Sequence, residues 1–274
     1  MQIGIIAGTG ELPGIVAGDA KERGYRVVVA ALESLAPAGL DAYADVLQWV
    51  NAGKLGDLIN VFKKSGTTEV IMAGKVPKSL LYKSKITPDM RAVKMLFSLK
   101  DKSDDSILNA LAKELESDGI RIINTAAFSP HLLTPEGVLT EAAPSKEEWQ
   151  DITFGWKIAK ETGKLDIGQT VVVKGLAVMA VEAIEGTDEA IRRGGKWAGD
   201  GAVVVKISKP QQDMRLDVPV IGPDTIRAMV DVRARVLAVE ALRSIIIDRK
   251  RLATEADEAG ITLVGYKGPE TAEA

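Results

Sequence analysis

Arg26–Leu32 reads RVVVAAL, six apolar residues in a row after one arginine. A strand with no polar face has to be covered on both sides, which is the condition of a parallel sheet between two helical layers. Gln2–Ala7 and Thr68–Ala73 are similar short apolar runs. Helical patterns separate them, from about Pro13 to Arg23 and from Gly53 to Ser65, the second with Leu55, Leu58, Ile59 and Phe62 on one stripe. Two further helices, roughly Pro88–Leu99 and Asp104–Asp118, precede a strand at Ile120–Asn124. Strand–helix alternation of this kind predicts an open parallel-sheet, Rossmann-like α/β domain over residues 1–130.

Ligands of such sheets bind beyond the carboxyl ends of the strands. That edge carries Gly8-Thr9-Gly10, Gly74-Lys75-Val76 and the Asn124–Thr125 turn. A strand followed by G-x-G and a helix suits phosphate, because glycines let backbone N–H groups approach and the helix start attracts anions. Glu33 stands where a ribose-binding acid would. The third glycine of the dinucleotide fingerprint, however, falls on Pro13. The turn reads equally as a tight turn without a ligand, and NAD chemistry lacks its motif.

The second half has another texture. Ser129–Lys146 holds three prolines and a glycine, and residues 131–146 are expected to link the halves. Ser145 and Glu148 form a capping box for a helix to about Thr162. Strands at Thr170–Lys174 and Leu176–Ala183 turn at Gly175 as a hairpin. Thr187 or Asp188 caps a helix bearing Arg192 and Arg193, and Ala202–Ile207 is another strand. A helix at Pro223–Arg235, a short strand at Ser244–Asp248, a helix to Gly260 and Ile261–Gly265 complete the pattern. Hairpin and helices predict a smaller α+β domain over 147–274, carrying most of the candidate catalytic groups.

Lys206–Gly222 (KISKPQQDMRLDVPVIG) concentrates those groups. Pro210 and Pro219 cannot donate to a ladder, so the segment is an edge strand or a structured loop. If extended, Asp213, Arg215 and Asp217 share one face. Two carboxylates about a guanidinium suit a hard divalent cation and a phosphate held together. Read alone, the same cluster is a surface ion-pair strip. Gln169, Glu182, Glu185, Thr187, Asp188, Arg192 and Lys209 join it at strand ends of the same half.

Composition narrows the chemistry. There is no cysteine and the only histidine is His131, so thiolate catalysis, zinc–sulfur sites and a histidine triad have no material. A net charge of −3 gives no case for nucleic acid. MQIGIIAGTG lacks the basic n-region of a secretory signal, and no run of 18 apolar residues appears, so a cytoplasmic protein without a membrane span is expected.

The ordered set IIAGTGELP, AGKVPK (73–78), SDDSIL (103–108), LDIGQ (165–169), VEAIEGTDEAIRR (181–193) and KPQQDMRLDVPVIG (209–222) resembles the LpxI family, the UDP-2,3-diacylglucosamine pyrophosphatases of lipid A biosynthesis. The resemblance runs over nearly the whole chain. It implies two domains with the lipid between them, and Mg²⁺-dependent hydrolysis to UMP and 2,3-diacylglucosamine 1-phosphate (lipid X). Asp217 matches the family's key aspartate in R-x-D-x-P. The expected assignments are then Asp217 and Arg215 as catalytic, Asp217 and Asp213 as metal ligands, and Gly8, Thr9, Gly10, Lys75, Gln169, Thr187, Asp188, Arg192 and Lys209 as substrate-binding. Asp104 and Asp105 are further acids to consider beside Asp213, although Ser103–Asp104 also reads as a helix cap. AGKVPK departs from the family's more basic turn, which weakens Lys75. Leu80, Leu81, Tyr82, Met90, Val93, Leu96 and Phe97, with Arg91 and Lys94, offer apolar cover for acyl chains or a face toward the inner-membrane surface. A homodimer is compatible with this reading. The rival class is a nucleotide- or phosphate-binding regulatory protein without hydrolase activity, which would use the Gly8–Gly10 turn and have no need of Asp217.

Overall fold

The structure is a computed structural model that describes residues 1–76, 87–101 and 103–269. The chain forms two compact units. The first takes residues 1–130 together with Asp213–Asp217, and the second takes 131–212 and the chain from Val218 on.

In the first unit β1 (Gln2–Ala7), β2 (Arg26–Leu32), β3 (Val46–Val50), β4 (Glu69–Ala73) and β5 (Arg121–Ile122) form a parallel sheet in the order β3-β2-β1-β4-β5. α1 (Leu12–Glu22), α2 (Leu55–Ser65), α3 (Met90–Phe97), α4 (Asp104–Ser117) and a short α5 (Thr125–Phe128) complete it. The unbroken apolar strands behave as their composition demands, with Val27–Ala31 wholly buried. α2 lays Leu58, Ile59 and Phe62 into the core shared with Val28, Ala30 and Val70. Fully burying a side chain such as Phe62 is worth about 1.5–3 kcal/mol. Asp89 joins two helices, capping α3 through Ala92 N–H at 2.8 Å and accepting Gly56 N–H of α2 at 2.7 Å. Ser103 caps α4 by accepting Ser106 N–H.

The second unit contains β6 (Gly137–Val138), α6 (Lys146–Lys164), β7 (Thr170–Lys174), β8 (Ala177–Val181), α7 (Thr187–Ala198), β9 (Val203–Lys206), β10 (Val220–Ile221), α8 (Pro223–Asp231), β11 (Val236–Glu240), β12 (Ile245–Ile246), α9 (Arg249–Glu258) and β13 (Thr262–Tyr266). Its main sheet has six strands in the order β6-β13-β11-β9-β7-β8. β9, β11 and β13 are parallel, joined through α8 and α9, while β7, β8 and β6 run antiparallel to their neighbours. The sheet is therefore mixed, with a hairpin at one edge of a parallel centre. α6 covers one face with Ile152, Trp156 and Ala159, and α7, α8 and α9 cover the other with Ile191, Ile226, Met229 and Leu252. The capping box at the start of α6 forms as expected, with Ser145 N–H to Glu148 at 2.7 Å and the return bond at 3.2 Å.

The stretch expected to link the halves is built into the second unit. Thr134 N–H bonds Ser244 O at 2.9 Å, β6 adds an edge strand to β13, and Leu139 N–H bonds Leu263 O at 2.8 Å. Backbone donors in a proline-bearing stretch still need acceptors, and the sheet edge supplies them.

Candidate active site

In the second unit the polar groups collect at the ends of β7, β8 and β9. β9 closes on Lys206, whose side chain is buried at 1% exposure. A buried ammonium has to be partnered. Its Nζ donates to Val220 O at 2.9 Å and to Thr187 Oγ1 at 3.1 Å. Thr187 opens α7 and its hydroxyl donates a hydrogen bond to Glu182 Oε1 at 3.0 Å. Thr170 Oγ1 lies 3.4 Å from the same hydroxyl, and Gln169 N–H 3.4 Å from Glu182 Oε2. Gln169 Oε1 is buried and meets no donor among the described residues. A Cβ on Gly168 would stand 2.1 Å from Glu182 O, so only glycine lets the 165–169 loop lie against the turn after β8.

The starts of α7 and α8 come together here. Thr225 Oγ1 donates to Asp188 Oδ1 at 3.3 Å. Neither helix start has a side-chain cap, Gly186 and Gly222 occupying the cap positions. Uncapped N–H groups favour anions, and Asp188 and Glu189 in the first turn of α7 already supply some negative charge.

Lys209, 6% exposed, pairs with Asp166. Beside it Glu240 accepts Lys160 through both oxygens, at 2.7 and 2.8 Å, and Ser208 N–H at 2.7 Å. Arg192 is not brought to the strand ends. Five residues into α7, it is held by Asp231 at 3.0 Å and Glu189 at 2.8 Å, and the hydrogen bond it donates to Asp231 raises its pKa.

In the first unit the Gly8–Gly10 turn is locked to the end of β4. Gly8 N–H bonds Ala73 O at 2.8 Å, Thr9 N–H bonds Lys75 O at 2.9 Å, and Lys75 N–H returns to Thr9 O at 3.2 Å. Gly74 has φ +87°, and a Cβ there would stand 2.4 Å from Thr9 O. Two of the three amides offered to a phosphate are thus spent on the fold, and Gly10 keeps the third. The glycines serve a loop–loop contact that the G-x-G pattern does not distinguish from an anion cradle. The Lys75 side chain is exposed. A cavity of about 420 Å³ beside α1 is lined by Glu11, Asp19 and Glu22 with Ile15, Leu40 and Tyr43. Its three acids make it a poor place for a pyrophosphate.

Asp213–Asp217 packs in this unit and is a helical turn, not a strand. Leu216 N–H and Asp217 N–H both reach Asp213 O, at 2.9 and 3.2 Å. Leu216 is the anchor, buried in the core of the unit. Of the two expected forms, edge strand or structured loop, the loop is the one adopted, so the shared strand face does not arise. The Asp217 backbone is tied to that of Asp213, four residues back, and Asp213 Oδ1 caps the turn through Arg215 N–H at 2.9 Å. The Arg215 guanidinium grips Asp213 by Nε at 3.1 Å to each oxygen and by Nη2 at 2.7 Å, and its Nη1 reaches Glu116 at 3.5 Å. Hydrogen bonding from Arg215 holds the Asp213 carboxyl below its ordinary pKa, and Asp213 raises that of Arg215.

Lys206, Asp166, Lys160 and Glu240 escape sequence reasoning. A lysine after VVV reads as the exposed end of a strand, and only the neighbouring Thr187–Glu182 pair hints that it is buried. Among the described residues no three or more Asp, Glu or His side chains converge as a ready metal cage.

Comparison with known proteins fits this two-unit division. The LpxI N-terminal domain model matches residues 2–132 and the LpxI C-terminal domain model residues 135–264. A protein of Caulobacter vibrioides named UDP-2,3-diacylglucosamine pyrophosphatase LpxI is 33% identical over 282 residues, covering 98% of this chain and 99% of the relative. Solved structures with some likeness include the biotin carboxylase subunit of pyruvate carboxylase, at 13% identity and TM-score 0.27 over 72% of this chain and 41% of that one. Another is the biotin carboxylase domain of Hydrogenobacter thermophilus 2-oxoglutarate carboxylase, at 14% identity and TM-score 0.28 over 71% and 40%. The chain spans about two fifths of those carboxylases, and a likeness this low carries no argument.

Proposed function

The chain belongs to the LpxI family, and from that premise we propose that it hydrolyses the pyrophosphate bond of UDP-2,3-diacylglucosamine in lipid A biosynthesis, yielding UMP and lipid X. The observation that carries the catalytic reading is the Asp213–Arg215–Asp217 turn, where two carboxylates and a guanidinium share one short, anchored loop.

Water attacks one phosphorus, and the bridging oxygen leaves on the other phosphate, so one water is consumed and two phosphate monoesters form. Such a displacement needs an aligned water and neutralised charge on the non-bridging oxygens. Asp217 is the group that orients the water and takes its proton. Arg215 exchanges Asp213 for phosphate oxygens, which its planar fork suits equally well. Lys209, Gln169, Asp188, the start of α7 at Thr187, Lys75 and the Gly10 amide are the substrate-binding candidates. The Thr187 hydroxyl is committed to Glu182, so its contribution is its backbone N–H.

The donor set suits Mg²⁺. This ion is commonly held by one or two carboxylates, with water and substrate phosphate oxygens filling the other places. A third carboxylate is not required, and Asp217 with Asp213 would hold the ion. When bound, it would neutralise charge on the pyrophosphate.

The substrate's two acyl chains belong in a bilayer, so the protein is taken to work peripherally at the cytoplasmic face of the inner membrane. Among the described residues no helix is long and apolar enough to cross a membrane. Met90 and Phe97 on α3, 71% and 87% exposed, offer cover for acyl chains. Leu80, Leu81 and Tyr82, expected to share that role, lie outside the described residues, as does the side chain of Asp104.

The test is direct. Purified protein given UDP-2,3-diacylglucosamine and Mg²⁺ should release UMP, and EDTA should stop it. Protein that binds the nucleotide sugar without releasing UMP would instead be the regulatory protein of the rival reading.

A further inference from the structure

Two adjacent loops of the second unit hold apolar side chains out into solvent. Leu165 and Ile167, between α6 and β7, are 71% and 48% exposed, and Ile184, between β8 and α7, is 68% exposed. Single exposed aliphatics are ordinary on a protein surface. These three sit on loops that touch backbone to backbone where Gly168 meets Glu182, and such a grouping is a contact surface.

The loops are braced rather than slack. Ile167 N–H bonds Thr162 O at 3.1 Å, Asp166 N–H bonds Gly163 O at 3.0 Å, and Gly186 N–H bonds Ala183 O at 3.2 Å. Among the carboxylates flanking the three residues, Glu161 is matched by Lys164, Asp166 by Lys209 and Glu185 by Arg193, while Glu182 is buried and accepts from Thr187. A surface of projecting aliphatics with its acids neutralised can approach a bilayer carrying negative headgroups without net repulsion. It also stands beside the polar cluster of Gln169, Glu182 and Thr187.

We propose that Leu165, Ile167 and Ile184 form a docking knuckle that enters the interfacial layer of a phospholipid membrane, seating the enzyme where its substrate resides. The proposal rests on the functional reading above for the reason the contact exists, not for the contact itself. Aliphatic side chains gain from leaving water for the acyl boundary, and three of them with balanced charge give reversible, peripheral binding.

The test uses the whole chain and vesicles of phosphatidylethanolamine with phosphatidylglycerol. Wild type should sediment with the vesicles, and the triple variant Leu165→Ser/Ile167→Ser/Ile184→Ser should lose about tenfold or more in partitioning. The chain has no cysteine, so Ile184→Cys carrying an environment-sensitive dye reports this site alone, and its emission should shift to the blue on adding vesicles. Wild type that stays in the supernatant, a triple variant that binds as well as wild type, or an unshifted dye would each overturn the proposal. So would a loss confined to Phe97→Ser, which would move the contact to α3. A second arm follows UMP release from a short-acyl, freely soluble UDP-diacylglucosamine. Equal rates for wild type and the triple variant support docking. A triple variant equally impaired in free solution would place the loops in the substrate's own path and overturn it. If wild type releases no UMP, the functional reading fails while vesicle binding still decides the docking face.

Discussion

Lys206 Nζ stands 3.1 Å from Thr187 Oγ1, joining the last residue of β9 to the first residue of α7 inside the second unit. With Val220 O at 2.9 Å, this buried ammonium ties a strand, a helix start and β10 into one arrangement. Lys206→Met keeps the apolar stem and removes the donor. Each acceptor left unsatisfied in the interior costs about 1–3 kcal/mol. Urea unfolding should show a loss in that range or above it, larger than for a methionine replacing exposed Lys250. A loss below about 1 kcal/mol would mean that solvent readily replaces the ammonium.

Asp213 makes the fold sensitive to acid in a defined direction. Its pKa is depressed in the folded protein, chiefly by the hydrogen bond from Arg215. A depressed carboxylate contributes stability that is fully present above its unfolded value of about 3.9 and is lost as pH falls through the lower folded value. Wild type should therefore lose stability between about pH 4 and its acid transition more steeply than Asp213→Asn. Parallel pH dependences for the two proteins would show that the Arg215 pair holds no linkage.

Legibility followed burial. β1, β2 and β4 are readable because strands covered on both faces have to be apolar throughout, and α6 because its capping box is a local signal. β11 is not, although it lies at the centre of the second sheet with all five residues buried. Val236–Glu240 follows α8 closely and is set in a run of Ala, Leu, Glu and Arg that also suits helix, so the pattern continues past the real stop. That stop is a left-handed residue, Arg233 at φ +53°, which is not a glycine and leaves no mark in the sequence. β3 escapes for the opposite reason, being an edge strand with Gln48 and Trp49 exposed. In the candidate site the chemistry of Asp213, Arg215 and Asp217 was readable, but their geometry was not. Period-two alternation would place all three on one face, whereas the turn that forms pairs position 213 with 217, and the burial of Leu216 in the core of the first unit, which no local pattern announces, goes with the turn.

The locked turn at the end of β1 separates two roles that one motif can have. Gly10 at φ +91° has nothing within 4 Å of an added Cβ, whereas Gly74 at φ +87° would meet Thr9 O at 2.4 Å. Gly10→Ala should cost about 1–2 kcal/mol, the usual strain of a left-handed alanine. Gly74→Ala adds overlap with backbone that cannot yield, and should cost about 3 kcal/mol or more. Thermal unfolding of the pair checks the order. Equal losses would mean that the contact between the two loops gives way without energetic cost.

The catalytic assignment rests on substitutions that keep shape and change chemistry. Asp217→Asn retains size and removes charge, so turnover should nearly vanish while thermal unfolding is unchanged. Activity within about tenfold of wild type, about 1.4 kcal/mol in barrier, would exclude Asp217 from metal or proton work. Arg215→Lys keeps charge but loses the planar fork that now spans both oxygens of Asp213. If that fork moves to the phosphate in the transition state, kcat/KM should fall by about 2–3 kcal/mol, with most of the loss in kcat rather than KM. Arg192→Lys, in the VEAIEGTDEAIRR motif, is the contrast. Its guanidinium is held by Asp231 and Glu189 on the outside of α7, and exposed pairs of this kind are worth about 0–1 kcal/mol. Arg192→Lys should therefore leave kcat/KM close to wild type. If Arg192→Lys proved as damaging as Arg215→Lys, the two arginines would both have to grip the substrate, and the division of labour between the turn and the helix would fail.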